Sequence, residues 1–263
     1  NLIFSQFSTL VMAMLYSFVP MAFFMALLVP AMSAGMGRKW HRATATFYGD
    51  INGGETMQGA CGYGNLFNQG YGLETAALST ALFNNGLACG SCYEIKCVKD
   101  PQWCIKGAGT IKVTATNFCP PNYRDGSWCN PPQKHFDLSM KMFTTIALYR
   151  AGIVPVKYRR IPCIKTGGVK FELTGNPYWL QVLVYNVANA GDVYNVRIKG
   201  SRSTRDWNPM THNWGEHWHT GLNLVGESLS FQVTTSDGKM MQFDNIVPTN
   251  WQFGQTYHSI HNF

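Results

Sequence analysis

Only 13% of the 263 residues carry a charged side chain, so each carboxylate is a specific candidate for chemistry. Asp137 closes the triplet His135-Phe136-Asp137 and stands just before a helix candidate. A carboxyl there serves either as an acid or as the N-cap that accepts a free amide of the helix, and spacing alone leaves the two readings equal. Asp50 opens Asp50-Ile51-Asn52-Gly53-Gly54, a turn composition that makes it a solvent-facing loop residue. Asp125 precedes Gly126 as a turn residue would, and Thr46 and Tyr48 alternate as one face of a strand. His212, His217 and His219 surround Glu216 without zinc-type spacing, so a solvent-facing loop is expected there and no metal.

All eight cysteines lie between Cys61 and Cys163, and the last hundred residues have none. Cys89-x2-Cys92-x4-Cys97 hints at zinc. The even count, behind a secretory leader, favours disulfides, although four bridges still allow 105 pairings. A bridge closing about 30 residues is worth roughly 3–4 kcal/mol in the chain-entropy model.

The leader is read from residues 1–34, which contain no Lys, Arg, Asp or Glu. The apolar run Leu10–Val29 is long enough to span a bilayer. Pro20 and Pro30 oppose a single helix, however, and Ala31, Ser33 and Ala34 suit cleavage of a signal peptide, with translation expected to start at Met12. The rest carries the full net charge of +7. Such a surface suits an acidic polymer. No Lys/Arg run exceeds two residues and no nucleic-acid motif occurs, which excludes a nucleic-acid partner.

The elements that must position these residues fall into two halves, joined near Lys165-Thr166-Gly167-Gly168. The first half mixes Gly-rich turns with strands at Thr110–Thr116 and Val154–Ile161. It has helix candidates at Leu73–Phe83 and at Leu138–Arg150, where Leu138, Met142 and Ile146 share a face. The second half alternates. Val169, Phe171 and Leu173 lead, followed by Leu180, Val182 and Val184. Then come Tyr194, Val196 and Ile198, and Leu229, Phe231 and Val233, with an Asp237-Gly238 hairpin before Met241 and Phe243. That pattern predicts an antiparallel sandwich.

Several motifs follow one another in order. They are Ala45-Thr46-Phe47-Tyr48-Gly49, Gly59-Ala60-Cys61-Gly62-Tyr63-Gly64-Asn65, Trp128-Cys129-Asn130-Pro131-Pro132, His135-Phe136-Asp137, Arg159-Arg160-Ile161-Pro162-Cys163, Tyr178-Trp179-Leu180-Gln181 and Asn250-Trp251-Gln252-Phe253-Gly254. Together they resemble the expansins over nearly the whole chain after the leader, and the Trp-Cys-Asn-Pro-Pro segment resembles the α branch. The resemblance implies an all-β protein. A six-stranded double-psi β-barrel, akin to family-45 glycoside hydrolases, would span residues 40–165, and an immunoglobulin-like cellulose-binding β-sandwich residues 168–263. It implies the pairings Cys61–Cys89, Cys92–Cys163, Cys97–Cys104 and Cys119–Cys129. Asp137 becomes the groove acid, with Thr46, Tyr48 and Asp125 beside it. Tyr178, Trp179 and Trp214 become a flat platform for stacking on glucose rings, while Trp207 and Trp251 are left to the core.

The implied function is secretion to the cell wall and non-hydrolytic loosening of contacts between cellulose and matrix glucans such as xyloglucan. Acidic pectin is a further partner. The chain would act as a monomer without a cofactor. Asp50 keeps one alternative open, because related hydrolases place a base two residues after the counterpart of Tyr48. An inverting endoglucanase would need Asp50 and Asp137 about 6.5–9.5 Å apart. The expectation here is that Asp50 points to solvent.

Overall fold

The computed structural model describes residues 37, 39–54, 58–124, 126–202 and 205–263. The leader read at residues 1–34 lies outside them. Among the described residues, six strands close a barrel. They are β1 (His41–Tyr48), β2 (Thr75–Ser79), β3 (Cys92–Cys97), β4 (Ile111–Cys119), β5 (His135–Ser139) and β6 (Val154–Ile161). Their order is β1-β5-β2-β4-β3-β6, with parallel pairs β1–β5 and β2–β4 among antiparallel ones. Alternation points Ala45, Ala76, Leu78, Val113, Ala115, Phe136 and Leu138 into the barrel core. Their neighbours Thr44, Thr46, Ala77, His135 and Asp137 therefore face outward.

Two sheets form the sandwich, so the described residues make a double-psi barrel followed by a β-sandwich. One sheet holds β7 (Lys170–Asn176), β8 (Trp179–Tyr185), β11 (Thr211–Trp214), β12 (His217–Thr220) and β15 (Gln255–His258). The other holds β9 (Val193–Gly200), β10 (Asn208–Pro209), β13 (Leu229–Thr235) and β14 (Met240–Val247). Phe171 and Phe231 stack between them at 4.6 Å. Trp251 is buried as expected, its indole N–H donating to the Glu227 carbonyl at 3.0 Å.

Four sequence expectations need correction. Leu73–Phe83 is mostly strand β2 with only a four-residue helix α1 (Thr80–Phe83) behind it. Its alanines suit a strand sealed between β4 and β5, where all five residues are buried, and that packing overrides their helix propensity. Helix α2 covers Met140–Ile146, capped by Ser139 and not by Asp137, which lies inside β5. Tyr194 is exposed, because a register shift between Asn195 and Val193 turns it out of the alternation. Trp207 is half-buried outside the core, with the Lys199 ammonium 5.0 Å from its ring.

All four implied disulfides are present: Cys61–Cys89, Cys92–Cys163, Cys97–Cys104 and Cys119–Cys129. Cys92–Cys163 ties β3 to the start of the connector. Beside it the barrel meets the sandwich backbone to backbone. A Cβ on Gly90 would stand 2.2 Å from the Gly191 carbonyl oxygen, and both glycines have positive φ. Arg160 of β6 pairs with buried Asp192 at 3.1 Å and donates to the Ala190 carbonyl at 2.8 Å. Leu183 and Tyr185 of β8 pack into the barrel's own core cluster. Gly90→Ala should therefore lower unfolding free energy by about 2 kcal/mol or more, through overpacking and a strained φ. Urea unfolding measures this, and a loss near zero would mean that the seam is loose.

Candidate functional site

The parallel register of β1 with β5 builds the first site. It sets Thr44 beside His135 and Thr46 beside Asp137. On the other side of β5, Ala77 lies opposite Asp137 and pairs in turn with Asn117 of β4. Thr46, Asp137, Ala77 and Asn117 thus form one lateral row on the outer barrel wall, with a methyl group where a larger side chain would fill the groove.

The hydrogen bonds along β1 and β5 form a directed chain. Thr46 Oγ1 donates to Asp137 Oδ1 at 2.7 Å and lies 2.8 Å from His135 Nε2. Thr44 Oγ1 lies 2.7 Å from His135 Nδ1. A hydroxyl has one proton. While Thr46 gives its proton to the carboxylate, it has only lone pairs for the imidazole. His135 therefore carries hydrogen on Nε2 and accepts from Thr44 at Nδ1. Burial pushes His135 down to about 4, so the ring is neutral above that pH.

Asp137 sits half-buried in this wall. Burial raises its carboxyl above the usual carboxylate range, and the bond from Thr46 offsets only part of the rise. Its Oδ2 makes no hydrogen bond among the described residues and is not sealed from solvent. Nearby, the Tyr48, Thr75 and Thr116 hydroxyls are buried without a hydrogen-bond partner. Thr75, Thr116 and the Asn117 side chain surround the Tyr48 phenol closely enough to influence its acidity, yet without hydrogen-bond geometry. Burial raises that phenol. Unpaired buried hydroxyls are costly, and a water enclosed among them would supply what they lack.

Thr46, Tyr48 and Asp137 are thus brought together, while Asp125 lies outside the described residues. Sequence reasoning missed His135, Thr44, Thr75, Thr116 and Asn117. His135 was in plain view two residues before Asp137, on the same strand face, and that spacing was the available signal. Asp50 folds back on its own turn. The Asn52 amide donates to its Oδ1 at 2.6 Å, and a Cβ at Gly54 would come within 2.7 Å of Oδ2. The residue is partly exposed and its hydrogen bond lies at the surface, in a turn.

The second site is the outer face of the sheet containing β8, β11 and β12. Tyr178 is 80% exposed, and Trp179 and Trp214 are 42% and 44% exposed, so all three offer ring surface. Trp179 lies flat on His219, centroids 3.9 Å apart and planes 16° from parallel, and Trp214 rests on His217 at 4.3 Å. Between them Asn213 donates to Gln181 at 2.9 Å. The loop expected around His212, His217 and His219 is instead the strand pair β11–β12. Trp218 points into the core with the His212 ring 4.9 Å from it, while His217 and His219 brace the two indoles. Glu216 is buried at 1% exposure. Burial raises its carboxyl well above the usual range, with Asp192 adding to the rise. Trp214 also reaches the barrel, where a Cβ on Gly62 would stand 3.0 Å from its ring.

Comparison with known proteins gives consistent matches. A family model described as Expansin C-terminal domain matches residues 169–248, and one described as Lytic transglycolase matches 75–158. The chain is 63% identical to Expansin-A25 of Arabidopsis thaliana over 231 residues, which is 87% of this chain and 82% of that protein. The apo crystal structure of a Clavibacter michiganensis expansin superposes with a TM-score of 0.65 at 20% identity, over 85% of this chain and 98% of that one. A mutant of the same protein, in complex with cellohexaose, superposes at 0.64 with 19% identity over the same shares. At those identities the two structures speak for the fold.

His135 gives this site a pH signature. Its folded value of about 4 lies below the ordinary 6.5, so its contribution is complete above 6.5 and is lost as pH falls toward 4. The full swing is on the order of 3 kcal/mol. Asp137 acts with the opposite sign and is common to both proteins in a comparison with His135→Asn. Across that window the wild type should lose this much more stability than His135→Asn, as followed by denaturant unfolding at each pH. Parallel curves would contradict the neutral, buried imidazole.

Proposed function

The chain belongs to the expansin family, in its α branch, and is a non-hydrolytic cell-wall-loosening protein; on that premise we propose that it is secreted to the wall, anchors on cellulose through Tyr178, Trp179 and Trp214, and grips a neighbouring glucan in the groove of Asp137, Thr46 and Tyr48. Asp125 belongs to the same groove in this proposal. Residues 1–34 are the signal peptide, residues 40–165 the gripping domain and residues 168–263 the anchoring domain. Matrix glucans such as xyloglucan are the gripped partners, acidic pectin is a further one, and the protein works as a monomer. The Clavibacter relative was crystallised in complex with cellohexaose, which agrees with a β-glucan ligand.

One observation carries the groove reading. A desolvated carboxyl with an unpaired Oδ2 faces the same wall as three partnerless hydroxyls. At acidic wall pH the raised carboxyl holds its proton longer than an ordinary Asp. It then donates to a glucan oxygen, while the buried Tyr48, Thr75 and Thr116 hydroxyls form the polar backing of the wall behind it. Each bond the groove offers replaces one that held the glucan to its neighbour. No covalent bond is broken, because hydrolysis by inversion needs a second carboxylate to activate water. The Asp50 carboxylate is occupied by its own turn.

Three variants divide this reading into parts. Asp137→Asn should reduce creep of heat-killed walls to the buffer level while leaving the thermal midpoint and cellulose binding intact. Wild-type creep in that folded variant would refute the groove assignment. Trp179→Ala with Trp214→Ala should weaken binding to crystalline cellulose by more than about tenfold, since two ring contacts of ~1 kcal/mol are lost. Unchanged depletion from solution would remove the platform. Asp50→Asn should leave creep unchanged and soluble-sugar release at background. Sugar release that disappears in both Asp50→Asn and Asp137→Asn would make the protein an endoglucanase.

A further inference from the structure

A polar cavity of about 400 Å³ opens where the barrel, the connector and the sandwich meet, and none of the groove or platform residues lines it. The barrel contributes Asn68, Gln69, Tyr71 and Glu74. The connector contributes Lys165 and Thr166, and the sandwich Lys170 and Asn186.

The walls of this cavity are fixed. Asn186 donates both side-chain protons, to the Thr166 and Gly168 carbonyls at 2.9 Å each, and its amide donates to the Tyr71 hydroxyl at 3.4 Å. Asn262 ties the Gly167 carbonyl from the other side at 2.8 Å. The glycine-containing connector is therefore a braced wall and not a loose tether.

Two ammonium groups stand on tyrosine rings in this cleft. Lys165 Nζ lies 4.2 Å from the centroid of Tyr71, which itself stacks on Tyr63 at 4.5 Å, and Lys170 Nζ lies 5.4 Å from that of Tyr185. Neither ammonium has an ion-pair or hydrogen-bond acceptor among the described residues. A half-buried ammonium held against an aromatic face with its donors unused lacks an anion. Glu74, on the rim, attracts Lys165 without pairing with it. The amides of Asn68 and Gln69 add groups that bond hydroxyls. A second cavity shares Glu74, Thr114 and Ile164 with the first and brings in Lys112, which extends the basic lining along the barrel. Two ammonium groups, one tyrosine and side-chain amides in a single lining match a sugar that bears both hydroxyls and a carboxylate.

We propose that this cleft is a second carbohydrate site, distinct from the groove and the platform, which takes a uronate unit of an acidic polysaccharide with its carboxylate between Lys165 and Lys170. The proposal rests on the wall reading for the source of its ligand, and it gives the pectin contact a location.

The test is calorimetric titration of the full chain with a short oligogalacturonate, its methyl ester and cellohexaose. The acid form should bind, and the methyl ester should bind more weakly by about tenfold or more, the worth of one charge-assisted bond. Lys165→Gln and Lys170→Gln should each show a similar loss for the acid form. Lys141→Gln, an exposed lysine of α2 that lines neither cavity, should show none. If Lys165→Gln fails to fold, Lys170→Gln decides alone. Burial pushes Lys165 down to about 8. With Tyr71 kept neutral by burial and Glu74 and Lys170 lining the same cleft, binding should fade as pH rises through 8. Equal losses in all three lysine variants would mean that net charge alone attracts the polymer. Equal binding of acid and ester, or no binding at all, would also overturn the site. Depletion onto cellulose and wall creep of Lys170→Gln should match the wild type, so failure here leaves the groove and the platform standing.

Discussion

The parallel pairing of β1 with β5 is the constraint on which the groove depends. In that register two hydroxyls of one strand fall beside the imidazole and the carboxyl of the next. Side chains alternate across a strand, so a slip by one residue would send Thr46 into the barrel and bring Ala45 beside the carboxyl. The aliphatic and aromatic residues of the barrel core hold the register from within, since Ala45, Phe136 and Leu138 are fully buried. Core packing and site geometry are the two faces of the same strands. The neutral His135 then transmits the constraint from Thr44 to Thr46, which leaves one carboxyl oxygen free.

The same economy of backbone contact fixes the second half. The seam is made from glycine against glycine, a disulfide at the head of the connector and a buried Arg160–Asp192 pair. Breaking one partner of such a pair leaves an uncompensated charge, which is far costlier than the pair is beneficial. Glu216, buried at the turn between β11 and β12, donates its backbone N–H to the Cys61 carbonyl at 3.1 Å. The platform strand is thereby fastened to the barrel next to Trp214. Aromatic surface and polar groove are thereby held on one body.

Much of this could be read in the chain. The sandwich strands follow the alternation of Phe171 with Leu173 and of Leu180 with Val182, because half-buried antiparallel strands show their period openly. The four disulfides came from the family pattern and not from spacing. The barrel was harder. Its strand β2 is sealed on all sides and reads Thr-Ala-Ala-Leu-Ser, a composition with no alternation. Cross-strand partners such as Thr46 and Asn117 are joined only by register, which no local pattern records. The histidines of β11 and β12 were misjudged for a related reason. They looked like a polar loop, although His219 and the buried His217 support Trp179 and Trp214, and His212 packs against the core residue Trp218.

The central claim is that Asp137 works as a desolvated carboxyl held by Thr46 and a neutral, Nε2-protonated His135. Nuclear magnetic resonance reads both groups directly, through the Asp137 carboxyl carbon and the His135 ring nitrogens followed across acid to neutral pH. The account predicts an Asp137 midpoint above that of an ordinary aspartate. It also predicts ring nitrogen shifts of the neutral Nε2–H tautomer, unchanged until the pH approaches 4. A His135 that titrates near 6.5, or an Asp137 midpoint below the ordinary value, would contradict it.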